Sequence, residues 1–203
     1  NYTVAQLKTI NDATAGAIVL ATPTANLTGS VSDTVDAFAG TVTTNTGTIT
    51  FDDNAGVNIT ATDITNLNAK ITGNITFSNA VDINGSGSEV KAAFDVINSN
   101  ANATANITGN DYTVAQLKAI NDATAGAIVL ADASADLSGD SSDIVDAFAG
   151  TVTTHTGTVT ITNSDYTVAE LKTINDATNV NIVLNNAGCT LSGSANAVAA
   201  ALA

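Results

Sequence analysis

The segment that decides the fold reads Thr-Val-Ala-Gln-Leu-Lys-Thr-Ile-Asn-Asp-Ala-Thr-Ala-Gly-Ala-Ile-Val-Leu and spans residues 3–20. It returns over residues 113–130 with a single substitution. A third copy begins at Thr167 and diverges after Thr178. A chain that repeats itself this closely is built by stacking one structural unit on the next.

The repeat is about 54 residues long. One apolar position marks a strand in every copy, at Leu20, Phe77, Leu130 and Leu184, and another marks a helix, at Phe38, Phe94, Phe148 and Leu202. The three similar copies begin at the same residue type: Tyr2, Tyr112 and Tyr166. We predict a single solenoid over 1–203, with repeat 1 at 1–55, a divergent repeat 2 at 56–110, repeat 3 at 111–164 and a partial repeat 4 at 165–203.

Each repeat divides into two half-repeats of about 27 residues, because aligning Val114 with Val145 also aligns Gly126 with Gly157. Both half-repeats read as a short helix, a turn and a glycine-led strand. The sequence therefore predicts an α/β solenoid in which each half-repeat is one coil. Short parallel strands would stack about 4.8 Å apart, with short helices along one edge.

The first helix of each similar copy starts with a capping box, Thr3-x-x-Gln6 in repeat 1, whose side chains satisfy two free backbone amides. The apolar series Val4-x-x-Leu7-x-x-Ile10 falls on one helix face. Asn11-Asp12 is expected to end the helix, because both residue types turn readily. A helix this short needs a sheet to pack against.

Two short strands are expected to follow. The first covers residues 17–20 and their copies, and the second lies around Leu27, Ile83, Leu137 and Leu191. A glycine stands two residues further on in every copy, at Gly29, Gly85, Gly139 and Gly193. Glycine at one repeat position implies a backbone conformation or a close approach that a side chain would obstruct.

A second helix, over residues 33–39 and 143–149, is expected to end at a glycine. Threonine-rich strands are predicted over 41–51 and 151–161, where Thr alternates with Val or Ile. Their apolar side chains would fill the core and their hydroxyls would form ladders outside. Residues 52–70 depart from the repeat and are expected to form a local bulge or loop.

Charge and composition exclude several functions. Five Lys, no Arg and nineteen acidic residues give a net charge of −14, which excludes electrostatic binding of nucleic acid. No run of eighteen apolar residues occurs, so we expect no membrane insertion. The pattern begins and stops within a repeat, and we expect the chain to be a segment of a longer protein.

Catalytic residues are scarce, because the chain has one His and one Cys. His155 stands where repeat 1 has Asn45, and we expect an exposed polar position there. Cys189 matches Ala25 and Ala135, so we expect a small buried thiol. A single Cys allows neither a disulfide framework nor a cysteine metal site. The protein is predicted not to be an enzyme and to require no cofactor.

Calcium is the one ligand that the sequence suggests. Candidate carboxylates are Asp140, Asp143 and Asp146 around a helix start, or the pair Asp52 and Asp53. Neither cluster has the spacing of a known calcium loop, and aspartates that cap helices explain most of these positions. The threonine rows also suggest ice binding, a weaker hypothesis because they occur in only one half of each repeat.

Three phrases, at residues 165–178, 191–195 and 156–161, resemble the tandem modules of very long secreted or cell-surface proteins of marine and cyanobacterial type. The resemblance implies an extracellular, structural or adhesive role and carries no catalytic residues. We therefore predict a non-catalytic segment of a filament, sheath, surface layer or adhesin stalk, whose partners are copies of itself or neighbouring repeats stacked end to end. The alternative is a calcium-dependent module that binds carbohydrate or a cell surface.

Overall fold

The computed structural model describes residues 2–186 and 188–202 of the chain. Over these residues the protein is a mixed α/β structure, which confirms the predicted class. Its paired strands are parallel and lie in three sheets, and none of the sheets formed by the described residues closes into a barrel. No helix within the same residues is long and apolar enough to cross a membrane.

Short helices and short strands alternate along the described chain. The helices are α1 Val4–Ala13, α2 Val31–Ala37, α3 Ala61–Asn68, α4 Gly87–Val96, α5 Val114–Ala123, α6 Ser141–Ala147, α7 Val168–Ala177 and α8 Ala195–Ala201. The strands are β1 Leu27–Gly29, β2 Ile49–Phe51, β3 Asn58–Thr60, β4 Ile75–Phe77, β5 Asp82–Gly85, β6 Ile97–Ser99, β7 Thr104–Ile107, β8 Ile128–Leu130, β9 Leu137–Gly139, β10 Val159–Ile161 and β11 Ile182–Leu184. Elements this short depend on their neighbours for stability.

The chain forms two compact units. The first contains Asn1–Gly85 and Ala92–Thr104, and the second contains Ser86–Lys91 and Ala105–Ala203. Repeat 1 therefore lies in the first unit, and repeats 3 and 4 lie in the second. Because both units hold copies of one sequence, each provides an independent view of how a repeat packs.

In the first unit, β1, β2, β4 and β6 form a parallel sheet in that order. Leu27 lies beside Ile49, and Ile49 lies beside Ile75, so the apolar positions of successive half-repeats are aligned. These side chains are buried, and the Phe51 and Phe77 rings next to them have centroids 5.0 Å apart. Strand β3 pairs with β5 in the same unit.

In the second unit, β9, β10 and β11 form a parallel sheet with β10 in the centre. Leu137 lies beside Val159, and Val159 lies beside Ile182. Strand β7 pairs with β8 and places Ile107 beside Leu130. The same apolar alignment is therefore present in both units, with separations of 22–26 residues along the chain.

The capping boxes are present on α1, α5 and α7, as predicted. Two details of the predicted first helix are wrong. Ile10 is 49% exposed, although its copies Ile120 and Ile174 are fully buried. The helix also continues through Asn11 to Ala13, and the Asn11 side chain donates to the Asp36 carbonyl of α2 at 2.7 Å.

The threonine-rich segment is not one continuous strand, so the prediction for 41–51 and 151–161 is wrong for most of its length. Only its last three residues form β2 and β10, while Val42 and Asn45 make single bridges to Ile18 and Ile71. Between these pieces the Thr46 N–H donates to the Pro23 carbonyl at 2.7 Å. The segment therefore has three short pairing sites, which the Thr alternation alone does not distinguish.

The predictions for the other strands and helices are confirmed in part. Strands at Leu27, Ile83 and Leu137 are confirmed as β1, β5 and β9, but Leu191 lies in no strand. Residues 17–20 contribute only the bridge at Ile18, although their copies form β8 and β11. The second helices end near glycines in the left-handed region, Gly40 at φ 65° and Gly150 at φ 70°, as expected.

Residues 52–70 are not a bulge or loop throughout. They contain β3 and α3, which follow the same strand-then-helix order as the rest of the chain. Residues 52–57 are irregular, with a turn that uses Gly56 at φ 73°, and residues 69–70 form a second turn after α3. The departure in sequence is therefore a lengthened turn between two ordinary elements.

Candidate functional site

The carboxylates of the first predicted calcium cluster lie around α6, and two of them already have partners. Asp140 is the N-cap residue of α6 and accepts the Thr162 hydroxyl, with Oγ1 2.8 Å from Oδ1. Asp146 forms an ion pair with Lys118 of α5. Asp143 lies in the first helical turn, where negative charge stabilises a helix. A cation bound here would compete with these interactions.

Neutral residues occupy the position of Asp140 in other repeats. Ser30 caps α2 by accepting the Asp33 N–H at 3.1 Å, and Ser194 caps α8 by accepting the Ala197 N–H at 3.2 Å. Repeats 1 and 4 thus cap this helix with a hydroxyl, whereas the Asp140 side chain makes no capping hydrogen bond to α6. Its Oδ1 accepts the Thr162 hydroxyl instead, which gives the carboxylate a structural partner without a metal.

The second predicted cluster is built for hydrogen bonding between half-repeats. Asp53 Oδ2 accepts the Val31 N–H at the start of α2 at 2.9 Å, whereas Asp52 is exposed. In repeat 3, Asn163 Oδ1 accepts the Ser141 N–H at the same distance, 2.9 Å. Because a neutral amide takes the role of Asp53, this position requires an acceptor oxygen and not a charge.

A metal centre is not assembled in the described part of the chain. Within residues 2–186 and 188–202, no group of three or more His, Cys, Asp or Glu side chains is placed to hold a metal ion. Calcium prefers six to eight oxygen ligands, several of them from carboxylates. The calcium site stays a prediction, and the hydrogen bonds of Asp53 and Asp140 give each residue a structural role.

In repeats 1 and 3, two helices are joined by a lysine and an asparagine. Lys8 of α1 forms an ion pair with Asp36 of α2, and hydrogen bonding to Asp36 raises the Lys8 pKa above its usual value. Asn11 donates to the Asp36 carbonyl. Repeat 3 has the same contacts among Lys118, Asn121 and Asp146.

Repeat 4 shows what happens when the acidic partner is missing. Ala200 occupies the position of Asp36 and Asp146. Lys172 pairs instead with Asp176 of its own helix, with Nζ 2.6 Å from Oδ2. The lysine therefore joins α1 to α2 and α5 to α6. It pairs between helices where the second helix carries an aspartate and within its own helix where that position is alanine.

His155 is buried, so the prediction of an exposed polar position is wrong. Its side chain and that of Asn45, the matching residue of repeat 1, both have zero exposure. Asn45 uses both ends of its amide, donating to the Ala25 carbonyl at 3.3 Å and accepting the Gly47 N–H at 3.2 Å. The Thr-rich surroundings suggested a surface, but His155 lies on the same side of the alternation as the buried Val159 and Ile161.

The imidazole of His155 is only partly satisfied. Its Nδ1 lies 3.4 Å from the Tyr112 hydroxyl oxygen, and the Phe148 ring packs against it with centroids 5.6 Å apart. Its Nε2 is buried and has no hydrogen-bond partner among the described residues. Burial lowers the His155 pKa below its usual value, opposed by the Ala135 backbone and by Asp136. Burial also raises the Tyr112 pKa to about 12, so the phenol stays neutral near neutral pH.

Cys189 is half-buried, so the prediction of a buried thiol is wrong. Its counterparts Ala25 and Ala135 are 8% and 4% exposed, each beneath a glycine of a later half-repeat. The Cys189 Sγ lies 3.6 Å from the Tyr166 carbonyl oxygen. The described contacts of Cys189 and of His155 have no residue in common, so the structure does not bring the two side chains together as a catalytic pair. The prediction that the protein is not an enzyme stays a prediction.

The repeat-marking aromatic residues are core and linking residues. Tyr2 donates to the Thr22 carbonyl at 3.1 Å, and Tyr166 donates to the Asn186 carbonyl at 2.9 Å. Tyr112 instead faces His155. The marker phenylalanines are all buried: Phe38, Phe94 and Phe148.

The repeat-marking glycines differ in how closely they approach a valine of the neighbouring helix. A Cβ on Gly29 would lie 3.1 Å from Val4, one on Gly139 would lie 3.4 Å from Val114, and one on Gly193 would lie 3.7 Å from Val168. Gly85 lies at the end of β5. The predicted close approach is therefore tight only at Gly29.

The closest glycine contacts were missed by the sequence analysis. A Cβ on Gly47 would overlap the Ala25 carbonyl, one on Gly73 would overlap the Gly47 carbonyl, and one on Gly157 would overlap the Ala135 carbonyl. The available signal was the recurring Thr-Gly pair within the threonine-rich segments. These glycines allow successive half-repeats to stack backbone on backbone.

A row of hydroxyls runs across the sheet of the first unit. Thr28, Thr50 and Thr76 lie in register, and the Thr76 and Thr50 hydroxyl oxygens are 3.1 Å apart. In the second unit, the matching row contains Ser138 and Thr160 but then Val183. The hydroxyl ladder is thus confirmed in the first unit, and its interruption in the second gives ice binding no further support.

Comparison with known proteins adds no relative. No protein-family model matches the chain, and no curated protein matches it.

Proposed function

We propose that this chain is a non-catalytic structural segment of a long extracellular bacterial protein, such as a filament, sheath, surface layer or adhesin stalk. In this proposal the half-repeats are coils of an α/β solenoid. The observation that carries the proposal is a set of three hydrogen bonds that recurs in both units. Such a repeated connection is what a stacked repeat array needs, because each repeat is stabilised mainly by its neighbours.

The recurring set joins a strand to the threonine-rich segment of the next half-repeat. In repeat 1, the Ile18 N–H donates to the Thr41 carbonyl at 2.8 Å and the Thr43 N–H donates to the Ile18 carbonyl at 3.0 Å. The Leu20 N–H donates to the Thr43 hydroxyl at 3.2 Å. Repeat 3 makes the same bonds with Ile128, Thr151, Thr153 and Leu130, at 2.8, 3.0 and 3.1 Å.

The side chains between half-repeats favour the structural proposal over the calcium-dependent binding module. Asn26 and Asp136 are equivalent, and each accepts a backbone N–H, from Thr48 at 2.9 Å and from Thr158 at 3.2 Å. Asp53 and Asn163 exchange in the same way. Exchange of Asp and Asn at these connections is compatible with a hydrogen-bonding role and would alter the charge of a metal site.

Electron microscopy of the assembled material, with and without a calcium chelator, tests the proposal. We expect fibres or sheets that survive the chelator, and aligned fibres should diffract at about 4.8 Å along the axis, the spacing of stacked strands. The matched control is this chain with Gly157→Ala, which should weaken stacking without changing the charge. Discrete particles that lose their shape in chelator would contradict the structural proposal and favour the calcium-dependent module.

A further inference from the structure

Strand β11 has one open edge. It is the edge strand of its sheet, with Val183 beside Thr160 of β10. The Asn185 N–H donates to the Ile161 carbonyl at 3.0 Å, so the backbone groups of residues 183 and 185 face β10. Because backbone groups alternate sides along a parallel strand, those of Ile182 and Leu184 face the opposite edge. No described residue pairs with β11 on that side.

The chain itself shows what fits such an edge. Ile182 and Leu184 correspond to Ile128 and Leu130 of β8. The outward backbone groups of that pair are bonded by the segment Thr151–Val152–Thr153 of the following half-repeat. The first unit repeats these bonds with the segment 41–43. The same edge is thus satisfied twice by a Thr-Val-Thr segment, in two separate units.

The apolar side chains on and beside β11 are more exposed to solvent than the equivalent side chains of repeat 3. Ile128 and Leu130 are 1% and 5% exposed, whereas Ile182 and Leu184 are half-buried. Leu202, at the position of the buried Phe148, is 59% exposed. A groove of about 390 Å³ lies here, lined by residues that include Leu171, Val180, Ile182, Leu184, Ala201 and Leu202.

Charge favours an uncharged partner at this groove. The protein carries a net charge of −14, so an acidic segment would be repelled. Residues 149–161, which contain the Thr-Val-Thr segment of repeat 3, include no Asp, Glu, Lys or Arg. The equivalent residues 39–51 are uncharged as well. The segments that cover β8 and Ile18 therefore have the chemistry that this surface accepts.

We propose that the open edge of β11, with the groove beside it, binds an extended, uncharged Thr-Val-Thr segment of the same repeat sequence. The segment adds a parallel strand to β11 through the Ile182 N–H and C=O and the Leu184 N–H. Its neighbouring apolar side chains cover Leu202. This inference deepens the proposed function and rests on it, since it names the surface through which stacking continues.

The test uses a synthetic peptide of residues 149–161 with blocked ends, added to the full chain. We expect binding and at least about tenfold slower amide hydrogen exchange at Ile182 and Leu184, because exchange of a strand amide requires its hydrogen bond to open. A peptide with Val152→Asp is the matched control and should bind at least about tenfold more weakly, since it brings a charge to an apolar groove. Replacing the exposed Leu202 by Asp in the protein should weaken binding similarly without affecting folding.

If the free peptide binds too weakly to detect, a fusion protein in which residues 149–161 follow position 203 provides a second test. The tether raises the effective concentration of the segment to the millimolar range. Unchanged exchange at Ile182 and Leu184 in the fusion would overturn the proposal. Peptide binding without fibres in microscopy would contradict the structural function and leave the edge contact established.

Discussion

Repeats 1 and 3 share nearly the same first helix and strand, but they differ at several positions where one half-repeat meets the next. Asn26 becomes Asp136, and Asp53 becomes Asn163, yet each side-chain oxygen keeps its backbone N–H partner. What these positions retain is an acceptor, whatever its charge. The comparison teaches that stacking in this protein depends on backbone groups meeting suitably placed oxygens.

At the equivalent positions Asn45 and His155, the two repeats differ in the hydrogen bonding of a buried side chain. The amide of Asn45 satisfies a carbonyl on one side and an N–H on the other. The larger imidazole contacts Tyr112, and within residues 2–186 and 188–202 its buried Nε2 has no hydrogen-bond partner. Repeat 3 therefore holds a titratable group in the core where repeat 1 holds a neutral one. The two repeats should respond differently to acid.

The largest effect is expected from the stacking glycines, which both repeats share. Gly157→Ala places a methyl group on the Ala135 carbonyl, and backbone cannot move aside as a side chain can. We expect a loss of about 3 kcal/mol in the free energy of unfolding. Gly193→Ala is the matched control, because its Cβ would lie 3.7 Å from Val168. Urea denaturation measures both, and equal small losses would show that the stacking is looser than described.

The second expected effect is a pH dependence of stability that arises from repeat 3 and not from repeat 1. Burial places the folded-state pKa of His155 below its unfolded value, so the unfolded chain binds more protons in weak acid. Stability from neutral His155 is complete above about pH 6.5 and falls below it, by at most about 1.4 kcal/mol per pH unit. His155→Asn should remove this slope, and Asn45→His should add one in the first unit. Parallel stability curves for wild type and His155→Asn would contradict the buried-imidazole account.

The sequence predicted the features that depend on local pattern. Capping boxes, the marker phenylalanines and the α/β class follow from residues close together in the chain, such as Thr3 and Gln6. It did not predict the burial of His155, because a polar residue among threonines is typical of a surface, although the alternation places His155 on the same side as the buried Val159 and Ile161. The roles of Asp53 and Gly157 also escaped, since their partners lie 22 or more residues away.

A smaller effect tests whether the acceptor positions need charge. Asp53→Asn should keep the hydrogen bond to the Val31 N–H, as Asn163 does for Ser141, and change stability by less than about 0.5 kcal/mol. Asp53→Ala removes the acceptor and should cost about 1 kcal/mol, the usual value of a lost helix cap. Thermal melting with calcium or with a chelator supplies the control. A large calcium-dependent rise in Tm that Asp53→Asn abolishes would make the position a metal ligand.

The smallest effect concerns the lysine pairs between helices. Lys8→Met keeps much of the side-chain length and removes the ion pair with Asp36, whereas the Asn11 bond to the Asp36 carbonyl remains. Because this pair is largely open to solvent, we expect a loss smaller than that of Asp53→Ala, and salt should reduce it further. Repeat 4 supplies the comparison, since Lys172 pairs within its own helix and Lys172→Met should leave the contact between α7 and α8 intact. Denaturation at low and high salt measures both substitutions, and a salt-independent loss for Lys8→Met would mean that its methylene packing, not its charge, joins α1 to α2.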